Sequence, residues 1–220
     1  ESKTFSSGEN RVHLLELYSS EGCSSCPPAE TWLGELRDAP GLWREFVPVA
    51  FHVDYWDRLG WRDKFARKEY TARQSAYAEH WHSENVYTPE FVLDGAEWRA
   101  PFGSNLAFPA AKAGSLAAIY APDGTCRVTF AGIGDGDYEV HVALLGAGIT
   151  SKVRAGENDG RMLHHDFVVL ALKSARMERG SAELKLPIPA EDGIARHALA
   201  VWITTKNGLS ARQATGGWLD

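Results

Sequence analysis

Near-continuous apolar runs dominate the first half of the chain. Val12 to Tyr18 and Phe46 to Val53 are strand-length runs that are apolar on both faces, as expected for central strands covered on two sides. Between them, residues 29–36 repeat apolar positions at helical spacing. This order predicts a strand–helix–strand unit in which the two strands are parallel.

Two further elements complete the first half. Arg62 to Trp81 is predicted to form a long amphipathic helix, with Asp63 as its amino-terminal cap. Val86 to Gly95 is predicted to be extended, because it has a proline near its start and an Asp-Gly turn at its end.

The second half alternates apolar and polar positions and is broken by turns rich in glycine, asparagine and aspartate. From about residue 117 this alternation predicts roughly seven strands. The clearest are Thr125 to Ala131, Tyr138 to Leu145, Phe167 to Leu172, Ala182 to Ile188 and Ala198 to Thr205. We therefore predict an antiparallel β-sandwich-like domain over residues 115–220, following an α/β domain over residues 1–114.

The composition excludes several classes of protein. The 220 residues are 44% hydrophobic with eight tryptophans, so the chain can bury a core without covalent staples. The formal net charge is -6, and no run of lysine and arginine would bind phosphate backbones, so no nucleic-acid partner is predicted. No apolar stretch approaches the roughly 20 residues that span a membrane. The sequence has no phosphate-binding glycine loop after a strand, so no organic cofactor is predicted. The chain begins at Glu1 without a leader, which we interpret as a mature exported protein, periplasmic or secreted.

The chain contains three cysteines, of which Cys23 and Cys26 are close together and Cys126 is distant. An odd and sparse count is not that of a disulfide scaffold. A pair at this spacing serves as half of a zinc site, as a disulfide that opens and closes, or as a static staple. Cys126 lies in an alternating strand and is predicted to be a small buried hydrophobic residue without a partner.

The position of the pair, in EGCSSCPPAE at the junction of strand and helix, favours redox chemistry. A thiol at the amino end of a helix faces unpaired amides and the positive end of the helix dipole, which stabilise its thiolate. We expect Cys23 to be the nucleophile and Cys26 to be the thiol that resolves a mixed disulfide. The sequence thus predicts a thiol–disulfide oxidoreductase whose partner is a protein or a small thiol.

The stretches ELYSSEGCSSCPPAE, AFHVDYWDRLGW, YTARQSAYA, VYTPEFVLDG and VRAGENDGRMLHHDFVV extend over both halves of the chain. Together they resemble a bacterial family of exported thioredoxin-like proteins of unknown function, catalogued as DUF1223. The resemblance implies an α/β thioredoxin-like domain in the first half, with a cis peptide bond between Thr88 and Pro89 packed against the cysteines. Two positions depart from typical thioredoxins, which carry an aromatic residue where Gly22 stands and a basic residue where Pro27 stands.

The thioredoxin resemblance also implies a buried acid that takes the proton of the resolving thiol, and Glu16 is the candidate. The count from Glu16 to Cys23 is about one residue longer than usual, and a slip of one residue reverses the face of a strand. The alternative is that Glu16 is a carboxylate paired with a neighbouring group.

Other functions stay open. The chief alternative is a copper or zinc carrier that uses Cys23 and Cys26 with a histidine, for which His52, His80 and His82 are candidates. A further alternative is a binding module whose β half holds a partner.

Aromatic and charged residues near the cysteines complete the sequence-based expectations. Tyr55, Trp56 and Trp61 are interpreted as core or as one wall of a substrate groove. His164 and His165 are predicted to pack or hydrogen-bond within the β half.

The charges next to the cysteines bear on redox poise. Glu21 and Glu30 lie close to the pair without a cation nearby in the sequence, and carboxylates disfavour thiolates. This predicts a potential nearer about -270 mV than about -120 mV, unless folding brings a cation such as His52 to the pair.

Overall fold

A computed structural model describes residues 1–99, 103–104, 106–132, 136–190 and 193–220. The described helices are α1 (Pro27–Glu35) and α2 (Lys68–His80), with short 3-10 turns at Leu36–Asp38 and Asp57–Leu59. The strands in the first half are β1 (Lys3–Ser6), β2 (His13–Ser19), β3 (Phe46–His52), β4 (Glu90–Leu93) and β5 (Ala96–Trp98). Those in the second half are β6 (Ser115–Tyr120), β7 (Thr125–Ala131), β8 (Tyr138–Ala147), β9 (Ile149–Lys152), β10 (Met162–His165), β11 (Val168–Arg176), β12 (Ser181–Lys185), β13 (Arg196–Thr205) and β14 (Gln213–Trp218).

The strands form three sheets in the described part of the chain. Eight of them make one mixed sheet in the order β14-β13-β8-β11-β3-β2-β4-β5. Four make an antiparallel sheet in the order β1-β6-β7-β12, and β9 pairs with β10 in a two-stranded ribbon.

The predicted strand–helix–strand unit is confirmed. Strands β2 and β3 are parallel and buried along their whole lengths, and α1 lies between them in the chain. Helix α1 begins at Pro27, because a proline in the first helical turn removes an amide that would have no partner there. The carboxyl ends of β2 and β3, where Ser19 lies opposite His52, therefore meet at the edge of the sheet that leads into the cysteine turn.

The predicted fold class is wrong. The chain is mostly β-sheet, with 43% strand and 13% helix, and its described residues do not show the thioredoxin-like α/β pattern. Strand β11 of the second half pairs with β3 of the first half, Val168 lying opposite Ala50, so both halves contribute to the large sheet. An apolar pattern shows which faces of a strand are buried but not which strand lies beside it. The division near residue 114 stays a prediction.

Apolar cores lie on both faces of the large sheet. On one face, Val142 and Val201 pack with residues of the four-stranded sheet such as Val128, an arrangement compatible with a β-sandwich. On the other face, Trp202 belongs to the core that contains Tyr77 of α2. Strands β8 and β13 are consequently buried on two sides and anchor the first half to the second.

Two local predictions have different outcomes. The peptide bond between Thr88 and Pro89 is cis, as expected. Helix α2 begins at Lys68, so the prediction of a helix from Arg62 with Asp63 as its cap is wrong. Asp63 is buried and accepts hydrogen bonds from distant groups, a role that a local capping pattern cannot reveal.

No helix in the described part of the chain has the length and apolar character needed to cross a membrane.

Candidate functional site

Cys23 and Cys26 form a disulfide on the turn between β2 and α1, with their Cα atoms 5.4 Å apart. The amide of Glu30 donates to the carbonyl of Cys26 at 3.1 Å, so the second cysteine lies where α1 begins. Both cysteines are buried, with exposed fractions of 0% and 1%. The two residues between them, Ser24 and Ser25, are exposed.

The predicted supporting residues Thr88 and Pro89 lie beside this turn. The hydroxyl of Ser25 is 3.5 Å from the carbonyl oxygen of Thr88 and 3.4 Å from the sulfur of Cys23. The cis peptide segment therefore lies next to the turn that carries the disulfide and contacts it through Ser25, while direct packing against the cysteines stays a prediction.

Aromatic side chains cover the turn. A Cβ atom on Gly22 would lie 2.8 Å from the Cβ of Trp56, so a side chain has no space at that position. The indole of Trp56 donates to the hydroxyl of Thr88 at 2.8 Å, and the indole of Trp61 donates to the carboxylate of Glu21 at 2.7 Å. Because position 22 is a glycine, the side chain of Trp56, from a later loop, can pack against the turn.

Glu16 is buried, as the resemblance implied, and its carboxylate has several hydrogen-bond partners. Its carboxylate is fully buried and accepts hydrogen bonds from Tyr18 at 2.9 Å, from the guanidinium of Arg73 at 2.8 Å and from Tyr77 at 2.6 Å. These partners belong to β2 and α2, whereas Ser19 of the same strand hydrogen-bonds to Glu30 of α1. Glu16 is thus a carboxylate paired with a neighbour, which was the alternative interpretation.

A group of three carboxylates and two imidazoles, which we call the buried charge cluster, adjoins the disulfide turn. Its members are Glu21, Glu30, His52, Asp63 and His165, with exposed fractions from 0% to 8%. His52 Nδ1 lies 2.6 Å from Asp63 Oδ2, and His52 Nε2 lies 3.7 Å from Glu30 Oε1. His165 Nδ1 is hydrogen-bonded to Glu30, while His165 Nε2 lies 3.0 Å from Glu21 Oε1.

The imidazoles compensate the carboxylates. Burial opposes ionisation of Glu30, but the charge of His165 and its hydrogen bond lower the pKa of Glu30 overall. In the same way burial opposes a charge on His165, but Glu30 and Glu21 raise its pKa to about 10. Despite burial, His52 lowers the pKa of Asp63 to about 2. The carboxylates near the disulfide are therefore not isolated negative charges. The predicted reducing potential assumed that they were.

Folding supplies two histidines to this region. His52 is the one suspected from the sequence. His164 and His165 were predicted to pack or hydrogen-bond within the β half, and their strand β10 does pair with β9. The side chain of His165, however, is bonded to Glu21 and Glu30 of the first half.

A loop of the second half holds the cysteine turn. The buried side-chain amide of Asn158 donates to the carbonyls of Glu21 at 2.8 Å and Cys23 at 2.9 Å. The carboxylate of Glu157 accepts a hydrogen bond from the amide of Ser24 at 3.2 Å. Sequence reasoning did not identify Asn158, Glu157, Glu30 or Asp63 in these roles, although Asn158, Glu157 and Glu30 lie inside stretches that carry the family resemblance.

Two cavities reach the cluster. One of ≈ 380 Å³ is lined by residues of α1, β9 and β10, including Glu30 and His165. A smaller one of ≈ 80 Å³ is lined by Cys26, Glu30 and His164, among others. Solvent-sized molecules can therefore approach Glu30 from the side of the ribbon and from the side of the disulfide.

The remaining candidates lie apart from this arrangement. His80 and His82 are exposed at the carboxyl end of α2. Cys126 is a free buried thiol, as predicted, and burial raises its pKa to about 12. Among the described residues, a group able to hold a metal ion consists of Glu30, His52 and His165.

Comparisons with known proteins add to this picture. No curated protein matches the sequence. A protein from Agrobacterium tumefaciens with a known crystal structure superposes with a TM-score of 0.64 at 24% identity, over 95% of this chain and 94% of that chain. HBP35 of Porphyromonas gingivalis gives a TM-score of 0.60 at 17% identity, over 97% of this chain and 76% of that chain. At these identities the likeness shows a shared fold alone. Residues 14–204 match the family described as "Protein of unknown function (DUF1223)", and the chain therefore belongs to that family.

Proposed function

We propose that the chain is a thiol–disulfide oxidoreductase that exchanges electrons with a protein or small-thiol partner through Cys23 and Cys26. The observation that carries the proposal is the disulfide on the turn that enters α1. Cys126, by contrast, is a free thiol in another core. A cysteine pair at the amino end of a helix forms a stabilised thiolate when it is reduced.

In the reducing direction the Cys23 thiolate attacks one sulfur of a partner disulfide. This forms a mixed disulfide with Cys23 and releases the other partner sulfur as a thiolate. Cys26 then loses its proton and attacks the Cys23 sulfur, which closes the Cys23–Cys26 bond and releases the second partner thiolate. Two electrons pass from the protein to the partner, and the two protons of the dithiol end on the partner thiols. The reverse sequence oxidises a partner dithiol.

Access to the disulfide needs a local movement. Both cysteines are shielded, and Trp56 packs against the turn at Gly22 and bonds to Thr88. Ser24 and Ser25 are small and exposed, so we place the approach of the partner on their side.

Cysteine substitutions test the proposal. The fully reduced protein is mixed with a disulfide-bonded protein substrate, and the products are separated without reductant. Cys23→Ser should abolish exchange, and Cys26→Ser should accumulate a mixed disulfide because the resolving step is lost. Cys126→Ser is the matched control and should exchange at the rate of the unaltered protein. Trapping by Cys23→Ser instead of Cys26→Ser would reverse the two roles, and no exchange by the unaltered protein would overturn the function.

The place of action is part of the proposal. Disulfides persist in oxidising compartments, which supports a periplasmic or secreted protein. Acid quenching and alkylation of fractionated cells should recover the chain outside the cytoplasm with Cys23 and Cys26 protected. Recovery in the cytoplasm with both thiols alkylated would contradict this.

The alternative of a metal carrier based on the two cysteines gains no support from the geometry. The nitrogen atoms of His52 are directed at Asp63 and Glu30, and His80 and His82 are exposed on α2.

A further inference from the structure

We infer that Glu30, His52 and His165 form a binding site for a divalent metal ion of the Zn²⁺ class inside the buried charge cluster. Each of these residues offers one ligand atom, and the three atoms lie within 4.8 Å of one another. The inference does not use the cysteines and does not depend on the proposed redox function.

Outer carboxylates orient both imidazoles. Asp63 is bonded to His52 Nδ1, and Glu21 is bonded to His165 Nε2. The other nitrogen of each ring, His52 Nε2 and His165 Nδ1, is then directed at Glu30. Histidine ligands of metal ions almost always bond through their second nitrogen to a carboxylate or carbonyl, which fixes the ring.

The outer carboxylates are themselves held in place. Asp63 accepts hydrogen bonds from the amides of Glu21 and Phe65, both at 2.9 Å. Glu21 accepts one from the indole of Trp61. The two rings are therefore fixed by a second layer of contacts, as a preformed ion site requires.

Within the buried charge cluster, one imidazole nitrogen has no hydrogen-bond partner in the part of the chain that the structure describes. His52 Nε2 is buried and makes no hydrogen bond, and it lies 3.7 Å from Glu30 Oε1. The side chain of His52 is 0% exposed. A buried polar atom without a partner is costly, and an ion held between His52 Nε2 and Glu30 would supply the missing partner.

The donor set selects the ion. Two imidazole nitrogens with one carboxylate oxygen suit Zn²⁺, whereas Ca²⁺ and Mg²⁺ prefer oxygen ligands and Cu(I) prefers sulfur. Three protein ligands leave a coordination position open. The cavity of ≈ 380 Å³ lined by Glu30 and His165 provides a path for the ion.

The charge balance permits the ion. The cluster holds three carboxylates, Glu21, Glu30 and Asp63, and two imidazoles. One divalent ion with two neutral imidazoles carries the same charge as two imidazolium rings, so loading the site leaves no additional buried charge.

Zn²⁺ titration of the complete chain, with the Cys23–Cys26 disulfide intact, tests the inference. We expect one Zn²⁺ per chain to remain bound after gel filtration. Ring ¹⁵N resonances should shift at His52 Nε2 and His165 Nδ1 and should stay in place at the exposed His80 and His82. This measurement needs no substitution, so it decides the question even if variants fold poorly.

Substitutions give a second measurement. Glu30→Gln and His52→Gln should abolish retention of Zn²⁺, and Asp63→Asn should weaken its affinity about 10–100-fold through loss of the outer carboxylate. The matched control is His141→Gln, because His141 is also buried but is bonded to Ser174 and Thr204. It should leave Zn²⁺ affinity unchanged.

Three results would overturn the inference. They are no retained Zn²⁺, retention that survives in both Glu30→Gln and His52→Gln, and resonance shifts confined to His80 and His82. Co²⁺ loaded into the protein with reduced cysteines should show no thiolate charge-transfer band. Such a band, together with loss of binding in a Cys23→Ser/Cys26→Ser double variant, would place the ion on the cysteines instead.

Discussion

Asn158 donates its side-chain amide to the backbone carbonyl of Cys23 at 2.9 Å, which ties the loop between β9 and β10 to a residue 135 positions earlier in the chain. The same amide donates to the carbonyl of Glu21, and the side-chain oxygen of Asn158 accepts a hydrogen bond from the guanidinium of Arg161 at 2.8 Å. A single buried side chain thus satisfies two carbonyls of the disulfide turn. It makes the second half of the chain part of the candidate site.

We expect Asn158→Ala to lower the free energy of unfolding of the oxidised protein by about 1–3 kcal/mol, because two buried carbonyls lose their donor. Urea unfolding followed by tryptophan fluorescence measures the change. The exposed neighbour provides the control, and Asp159→Ala should change stability by no more than about 0.5 kcal/mol. Equal stability of the Asn158 variant and the control would show that water replaces the amide without cost.

Trp56 controls access to the disulfide in our proposal, so its removal should speed reduction by a small thiol. Trp56→Ala removes the contact with Gly22 and the hydrogen bond to Thr88. A loss of about 1 kcal/mol from the closed state raises the open population roughly fivefold, and the reduction rate should rise by that factor or more. Alkylation at timed intervals after addition of dithiothreitol measures the rate. Trp56→Phe keeps a ring over the turn and should give a smaller increase, whereas an unchanged rate in both variants would remove Trp56 from this role.

Local patterns predicted much of the first half of the fold. The apolar runs of β2 and β3 and the two prolines at the start of α1 are signals contained in a few neighbouring residues. The fold class could not be obtained in this way. It depends on the pairing of β11 with β3, and that pairing joins strands more than a hundred residues apart whose patterns only report burial.

The candidate site was predictable to a similar extent. The spacing of Cys23 and Cys26 located it, but the partners of the turn come from elsewhere in the chain. His165 and Asn158 reach it from the second half, and no local signal distinguishes them from ordinary loop and strand residues. The role of Glu16 stays a prediction: its carboxylate is bonded to Arg73, a partner from α2 that a pattern within β2 cannot reveal.

The pair of Glu16 and Arg73 should be structural. The carboxylate is fully buried and the guanidinium nearly so, with side-chain exposures of 0% and 12%. Arg73→Met leaves the buried carboxylate without its charged partner, although Tyr18 and Tyr77 still donate to it, and should cost roughly 3–5 kcal/mol of unfolding free energy. Thermal and urea unfolding measure this loss.

Glu16→Gln separates a structural role from a catalytic one. The amide keeps the shape of the carboxylate, so the variant should be less stable yet exchange disulfides at the normal rate well below its unfolding temperature. Loss of exchange at unchanged stability would restore Glu16 as the acid that serves Cys26.

Glu90, the residue after the cis proline, should make stability depend on pH. It is buried, with an exposed fraction of 4%, and burial raises its pKa to about 7 from an ordinary value of 4.5. The neighbouring groups that modify this shift are Gln74, Glu97, Glu16 and Arg99. Tyr55 is linked to Glu90 through Gln74, because its hydroxyl donates to the side chain of Gln74 at 3.1 Å.

The direction of the effect follows from the raised pKa. The folded chain holds the Glu90 proton more tightly than the unfolded chain, so this stabilisation is complete below about pH 4.5 and is lost as the pH rises through about 7. Glu90→Gln stays neutral and can still accept the hydrogen bond from Gln74. Relative to the unaltered protein, the variant should therefore gain on the order of 1 kcal/mol in unfolding free energy between about pH 5 and about pH 8. Urea unfolding across that range measures the difference, with exposed Glu84→Gln as the control. A difference that does not change with pH would mean that Glu90 ionises in the folded chain as readily as in the unfolded one.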